Sequence, residues 1–147
     1  MVPTTLAAYV DILVQKGYLK VGDISKLLNA PGASCIVSTG GTPPAVTLAG
    51  KSALKVWLVS DSYPSNTIFA CSRNYSYNTA LNSPDVPYGD KGFVVIRKGG
   101  DAGVFRASQA VDTGWPNGSA FQSAVGFKPG DPDGTPGTGD LAGTLKL

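Results

Sequence analysis

The stretch VPTTLAAYVDILVQKGYL, residues 2–19, is an amphipathic helix pattern at the head of a chain otherwise rich in strand and turn sequence. Leu6, Tyr9, Val10, Leu13 and Val14 recur at three- and four-residue spacing and make one apolar stripe. Asp11, Gln15 and Lys16 turn away from it. Thr4 or Thr5 can cap the N-terminus by accepting from the free backbone N–H groups that follow. Lys16 suits the negative end of the helix dipole, and Gly17 suits the left-handed position just past it.

A second short helix pattern follows, with Asp23 as its cap and Ile24, Leu27 and Leu28 as its apolar face. Asn29–Gly32 ends it. Helices this short are marginal in isolation and need a sheet to lie on. Residues 1–31 therefore read as a helical region that packs on what comes next.

The sheet region spans residues 33–110. Cys35–Ser38 is a short strand before the loop TGGTPP, Ala53–Ser60 a well-buried strand, and Thr67–Cys71 another. The clearest strand signal is GFVVIRKGGDAGVFRAS, residues 92–108. Phe93–Arg97 and Gly103–Ala107 flank a turn at Lys98–Asp101 that glycine allows without strain. From residue 111 to 147 Gly, Pro, Asp, Ser and Thr dominate, and Trp115, Phe121, Val125, Phe127 and Leu141 serve as scattered anchors. Helices first, then antiparallel strands, then a loop-rich C-terminal segment give an α+β class in one domain of 147 residues, with the helices on one face of the sheet.

Composition narrows the chemistry. The chain has 12 basic and 10 acidic residues, a net charge of +2, and no basic cluster, which argues against nucleic acid as a partner. It has no histidine, which excludes Ser-His-Asp and Cys-His catalysis and His-ligated zinc. All ten acidic residues are aspartate, the acid of turns and caps. Asp61, Asp85, Asp90, Asp101 and Asp112 sit in turn sequence, and none is spaced as a catalytic pair. No enzyme is expected. No run is long and apolar enough to cross a membrane, and the N-terminus lacks the features of a signal peptide. Met1 reads as an initiator only.

Four short motifs have competing readings. Ala49–Ser52, AGKS, ends like a phosphate loop, but Ala45 stands where the first glycine belongs and a strand pattern follows, so a turn explains it better. Gly137–Gly143 has the wrong glycine spacing for a dinucleotide fingerprint. Gly130–Asp140 gathers Asp131, Asp133 and Asp140 in one flexible loop, a donor set that suits Ca²⁺, although it is not an EF-hand spacing. Ser72–Asn78, SRNYSYN, interleaves Arg73 with Tyr75 and Tyr77, for cross-strand packing or for stacking on a sugar. Asn74 and Asn117 begin N-x-S sequons. Cys35 and Cys71 are expected to pair in an exported protein, closing a loop of about 35 residues, with two buried free thiols as the alternative.

The segments LAAYVDILVQKGYLKVGDISKLL, IFACSRNYSYNTAL, PYGDKGFVVIRKGGDAGVF and GDLAGTLKL together resemble the soluble part of type IV pilin-like proteins. They are nearest to the pseudopilins of type II secretion systems, and to the prepilin-like proteins of Planctomycetes and Verrucomicrobia. The resemblance implies a pilin-like fold, an N-terminal helix packed on an antiparallel sheet, with Leu6, Tyr9, Val10 and Leu13 against Val56, Leu58, Val94 and Ile96. It implies a fibre subunit that partners like subunits, other pseudopilins or secretion-system components. It also implies an extracytoplasmic or periplasmic place, anchored to the inner membrane by an apolar helix half that this chain lacks. The family's cleavage site and following glutamate are absent here. The family's C-terminal Ca²⁺ loop would fall on Asp131, Asp133 and Asp140. The alternative reading is a secreted glycan- or protein-binding β-rich module using Tyr75, Tyr77, Trp57 or Trp115.

Overall fold

The structure is a computed structural model and describes residues 2–147; the reading of Met1 lies outside them. The first helix, α1 (Leu6–Gln15), begins where Thr5 Oγ1 accepts the Ala8 N–H at 3.1 Å. It ends where Gly17, at φ +75°, lets Gly17 N–H reach Val14 O and Tyr18 N–H reach Leu13 O, both at 3.0 Å. The second helix, α2 (Val21–Leu28), starts earlier than its sequence suggests. Asp23 is not the cap residue; it sits in the first turn and accepts the Lys20 N–H at 3.0 Å. Asn29 ties the end of α2 to the strand beyond, donating to Ser25 O and Cys35 O and accepting from Cys35 N–H.

That strand, β1 (Cys35–Gly40), is longer than expected and pairs antiparallel with β2 (Ala45–Gly50). The sequence pattern marks no strand over residues 45–48 and reads Ala49–Ser52 as a turn, whereas the structure runs β2 through to Gly50. Gly and Ala masked its period, yet Val46 is buried on α1. The polar edge of α1 helps hold it. Asp11 Oδ1 accepts the Val46 N–H at 2.9 Å, and Gln15 donates to Pro44 O at 2.9 Å.

The main sheet is an antiparallel meander in the order β3 (Leu54–Val56), β4 (Ile68–Ser72), β5 (Gly92–Arg97), β6 (Ala102–Arg106). The β5–β6 hairpin forms at the expected turn, with its second strand starting one residue earlier. The register shifts between Ile68 and Ala70 on β4. The mixture of helices with antiparallel sheets is α+β.

Two apolar clusters form on opposite sides of this sheet. In one, Leu6 and Val10 of α1 and Ile24 and Leu28 of α2 meet Val56 and Ala70, with Leu58, Phe69 and Ile96 packed around them. Burying each of these large aliphatic side chains stabilises by about 1.5–3 kcal/mol relative to exposure. In the other, Trp57, Ile68, Cys71, Phe93 and Val95 meet Tyr75, Tyr77 and two residues of α3 (Gly118–Ala124) and its end, Phe121 and Val125. Helices therefore cover both faces of the sheet, where the sequence placed them on one. A helix of seven residues inside a Gly-rich segment leaves too short a periodic signal to read. Asn117 caps it, accepting the Ala120 N–H at 2.8 Å.

The C-terminal segment closes the β3 edge. Val56 and Leu145 exchange two backbone hydrogen bonds of 2.8 Å, and Leu147 N–H donates to Ser52 Oγ at 3.1 Å. Leu145 is buried beneath α1 and α2.

Candidate functional site

Strand β3 is only three residues long, and its middle residue is a lysine. Lys55 pairs in register with Cys71 on β4, so its side chain lies on the α3 side of the sheet. It is 2% exposed. A buried ammonium needs a close counter-charge, and the C-terminal loop supplies it: Lys55 Nζ lies 2.6 Å from Asp140 Oδ1. Lys146 Nζ stands 3.9 Å from the other carboxylate oxygen.

This pair forms part of the wall of a polar cleft of about 300 Å³. Lys51 enters from the end of β2, Arg73 and Asn74 from the exit of β4, and Asp85 from the loop before β5. Four cationic side chains face two carboxylates across it. Asn74 is 6% exposed and donates both amide hydrogens, to Gly89 O at 2.9 Å and Gly92 O at 2.8 Å. Its Oδ1 and the Nη1 of Arg73 are buried without a hydrogen-bond partner. The cleft also bears on Cys71. Burial pushes that thiol up to about 12, and the nearby Lys55 charge offsets part of the rise.

The three aspartates expected to share Ca²⁺ are not brought together. Asp131 Oδ2 accepts the Gly137 N–H at 2.6 Å, Asp133 Oδ1 faces Ser119 Oγ at 3.5 Å, and Asp140 belongs to Lys55. Among the described residues, no group of three or more His, Cys or Asp side chains could hold a metal ion. Aspartates in a Gly/Pro loop bond their own backbone as readily as they bind a cation.

The expected disulfide is also absent: Cys35 and Cys71 are buried free thiols. Cys35 sits in the α1–α2 cluster and Cys71 in the α3 cluster, so the sheet separates them. Burial raises the Cys35 thiol as well.

Tyr75, Tyr77 and Trp57 are core residues, at 0%, 0% and 1% exposure. Tyr75 stacks on Phe93 at 3.9 Å between ring centroids, and Tyr77 packs against Trp57 and Phe121. Tyr75 and Tyr77 lie in the loop beyond β4 and not on a strand, so they pack inward as core aromatics and not as a cross-strand pair, and these rings present no platform to a sugar. Of the four aromatics named for that role, only Trp115 stays partly exposed. Asn74, the first residue of one sequon, is committed inside the fold.

The helix seat forms nearly as expected. Leu6 and Val10 are buried, while Tyr9 and Leu13 line an apolar crevice between the helices and Leu54, Val56, Phe69 and Ile96. Val94 is the exception. It lies beyond the reach of α1, beside Tyr88 and the exposed Val104.

Several cleft residues stand out in the sequence for other reasons: Asp140 as a metal ligand, Arg73 as a stacking partner, Lys51 within AGKS. Lys55 was missed. It stands in an apolar strand with no neighbouring charge to mark it, and Asp140 is distant in sequence. No protein-family model, curated protein or solved structure matches this chain at a significant level.

Proposed function

We propose that this chain is a non-enzymatic structural subunit, the globular head of a pilin-like or pseudopilin-like fibre protein. The observation that carries the reading is the seat of α1. An N-terminal amphipathic helix lies with Leu6 and Val10 on one face of an antiparallel meander of four strands. A helix held this way can transmit load from an axial helix core to the head, because its apolar stripe and its polar edge are both engaged, the latter through Asp11 and Gln15 on β2. In this reading an apolar continuation ahead of α1 anchors the protein in the inner membrane and then packs in the fibre. The head faces the periplasm, and its partners are like subunits and other secretion-system components. Among the described residues no helix is long and apolar enough to cross a membrane.

The burial of Tyr75, Tyr77 and Trp57 favours this reading over the glycan-binding alternative. Its test is to express the product of the complete gene in its native host, shear the cell surface or membrane fraction, and image the product. Helical fibres that carry this head support it. A full-length product that has no apolar helix before Val2 and stays monomeric overturns it.

A further inference from the structure

The geometry points to the Lys51–Lys55–Arg73–Lys146 cleft as a binding site for a small oxyanion that also carries a hydrogen-bond donor, such as a hydrogen phosphate or a hydroxy-carboxylate. This assignment is independent of the fibre reading, which rests on the α1 seat.

Charge is the first argument. The chain as a whole has a net charge of +2, and the cleft alone gathers four cations against two carboxylates. One carboxylate, Asp140, is already taken by the buried Lys55. Lys51, Lys146 and Asp85 are exposed and line the cleft. A concave site with polar walls and excess charge of one sign concentrates the opposite charge.

The second argument is independent of charge. Arg73 and Asn74 each keep one buried polar atom without a partner, and they are adjacent in the same wall. Such atoms are rare in folded proteins, because each costs the desolvation of a hydrogen-bonding group. Arg73 Nη1 can only donate, and Asn74 Oδ1 can only accept. Both atoms are shielded from solvent, so an anion with acceptor oxygens reaches the first, and an oxyanion bearing an O–H reaches both, only once the two side chains turn toward the cleft. Guanidinium is also the side chain best shaped for carboxylate and phosphate oxygens.

The test uses the whole chain, isotope-labelled, at constant ionic strength and neutral pH. Inorganic phosphate, sulfate and lactate are titrated separately while the backbone amides of Arg73, Asn74 and Ser76 are followed by NMR. Saturable shifts are expected with phosphate or lactate, and weaker ones with sulfate, which has the shape of phosphate without its proton. Saturation by phosphate alone assigns a phosphoryl ligand; saturation by lactate alone assigns a carboxylate. Lys51→Ala and Lys146→Ala, both at exposed positions, should each weaken binding roughly two- to fivefold, and Asp85→Asn should tighten it by a similar factor. Absence of saturation with all three anions overturns the assignment. So does saturation that none of the three variants moves.

Discussion

Lys55 and Asp140 are 85 residues apart in sequence and join β3 to the C-terminal loop through a 2.6 Å ion pair. The two ends of this pair are not equivalent. The lysine is 2% exposed and the aspartate 24% exposed.

Removing either partner should therefore have unequal effects. Asp140→Ala leaves an ammonium group buried without its counter-charge and should cost about 3 kcal/mol. Lys55→Met leaves a carboxylate that can turn to water and to Lys146, and its long apolar side chain refills the space. It should cost clearly less. Urea unfolding midpoints of the two variants check this, and the reverse order would contradict it.

The two buried tyrosines make a second graded pair. The Tyr75 hydroxyl donates to Ala110 O at 2.8 Å and accepts the Asn78 N–H at 3.0 Å. Tyr77 has one bond of good geometry, donating to Gly126 O at 2.7 Å, with the Lys128 N–H close to the same hydroxyl oxygen. Tyr75→Phe leaves two backbone groups short of a partner and Tyr77→Phe leaves one, so losses of about 2 and about 1 kcal/mol are expected. Chemical denaturation of both variants measures the difference.

Alkaline pH should unfold the protein. Burial holds the Cys71 thiol up at about 12 from its ordinary 9.0. Burial likewise raises the hydroxyls of Tyr75 and Tyr77 well above their ordinary 10.0. Folded-state values above unfolded ones mean that the unfolded chain loses these protons first. Their contribution is complete below about pH 9 and falls as pH rises, by up to about 1.4 kcal/mol per pH unit for each group. Urea midpoints should drop steeply above pH 9, and Cys71→Ala should flatten the first part of the fall. In the native protein at mildly alkaline pH, thiol reagents should leave Cys71 unmodified, whereas in denaturant both cysteines react and no disulfide is recovered.

Calcium should leave stability unchanged. Asp131 and Asp140 are both engaged by the chain's own donors at 2.6 Å, and Asp133 is exposed. Melting curves recorded with excess chelator and with added calcium should superimpose. A calcium-dependent rise would show that the loop can rearrange to gather its carboxylates.

The features legible in the sequence were those whose cause is local. The α1 stripe, its Thr5 cap and its Gly17 exit all depend on residues within a few positions of one another, and all three form as expected. The β5–β6 hairpin is another such case, fixed by a Gly-rich turn between alternating apolar runs. The strand β2 and the helix α3 escaped because Gly, Ala, Ser and Thr carry little periodic signal, and partners elsewhere stabilise both.

What the amino-acid sequence determined by itself was the class, helices joined to antiparallel strands, and the absence of histidine-based chemistry. The tertiary structure alone decided which side of the sheet each residue serves. It separated Cys35 from Cys71 and drew Tyr75 and Tyr77 inward. It also took Asp140 from its neighbours in the loop and gave it to Lys55. The reason is physical. Spacing along a chain governs local hydrogen bonds and periodicity, but a buried charge is satisfied by whichever group folding brings within about 3 Å, and sequence distance places no limit on that choice.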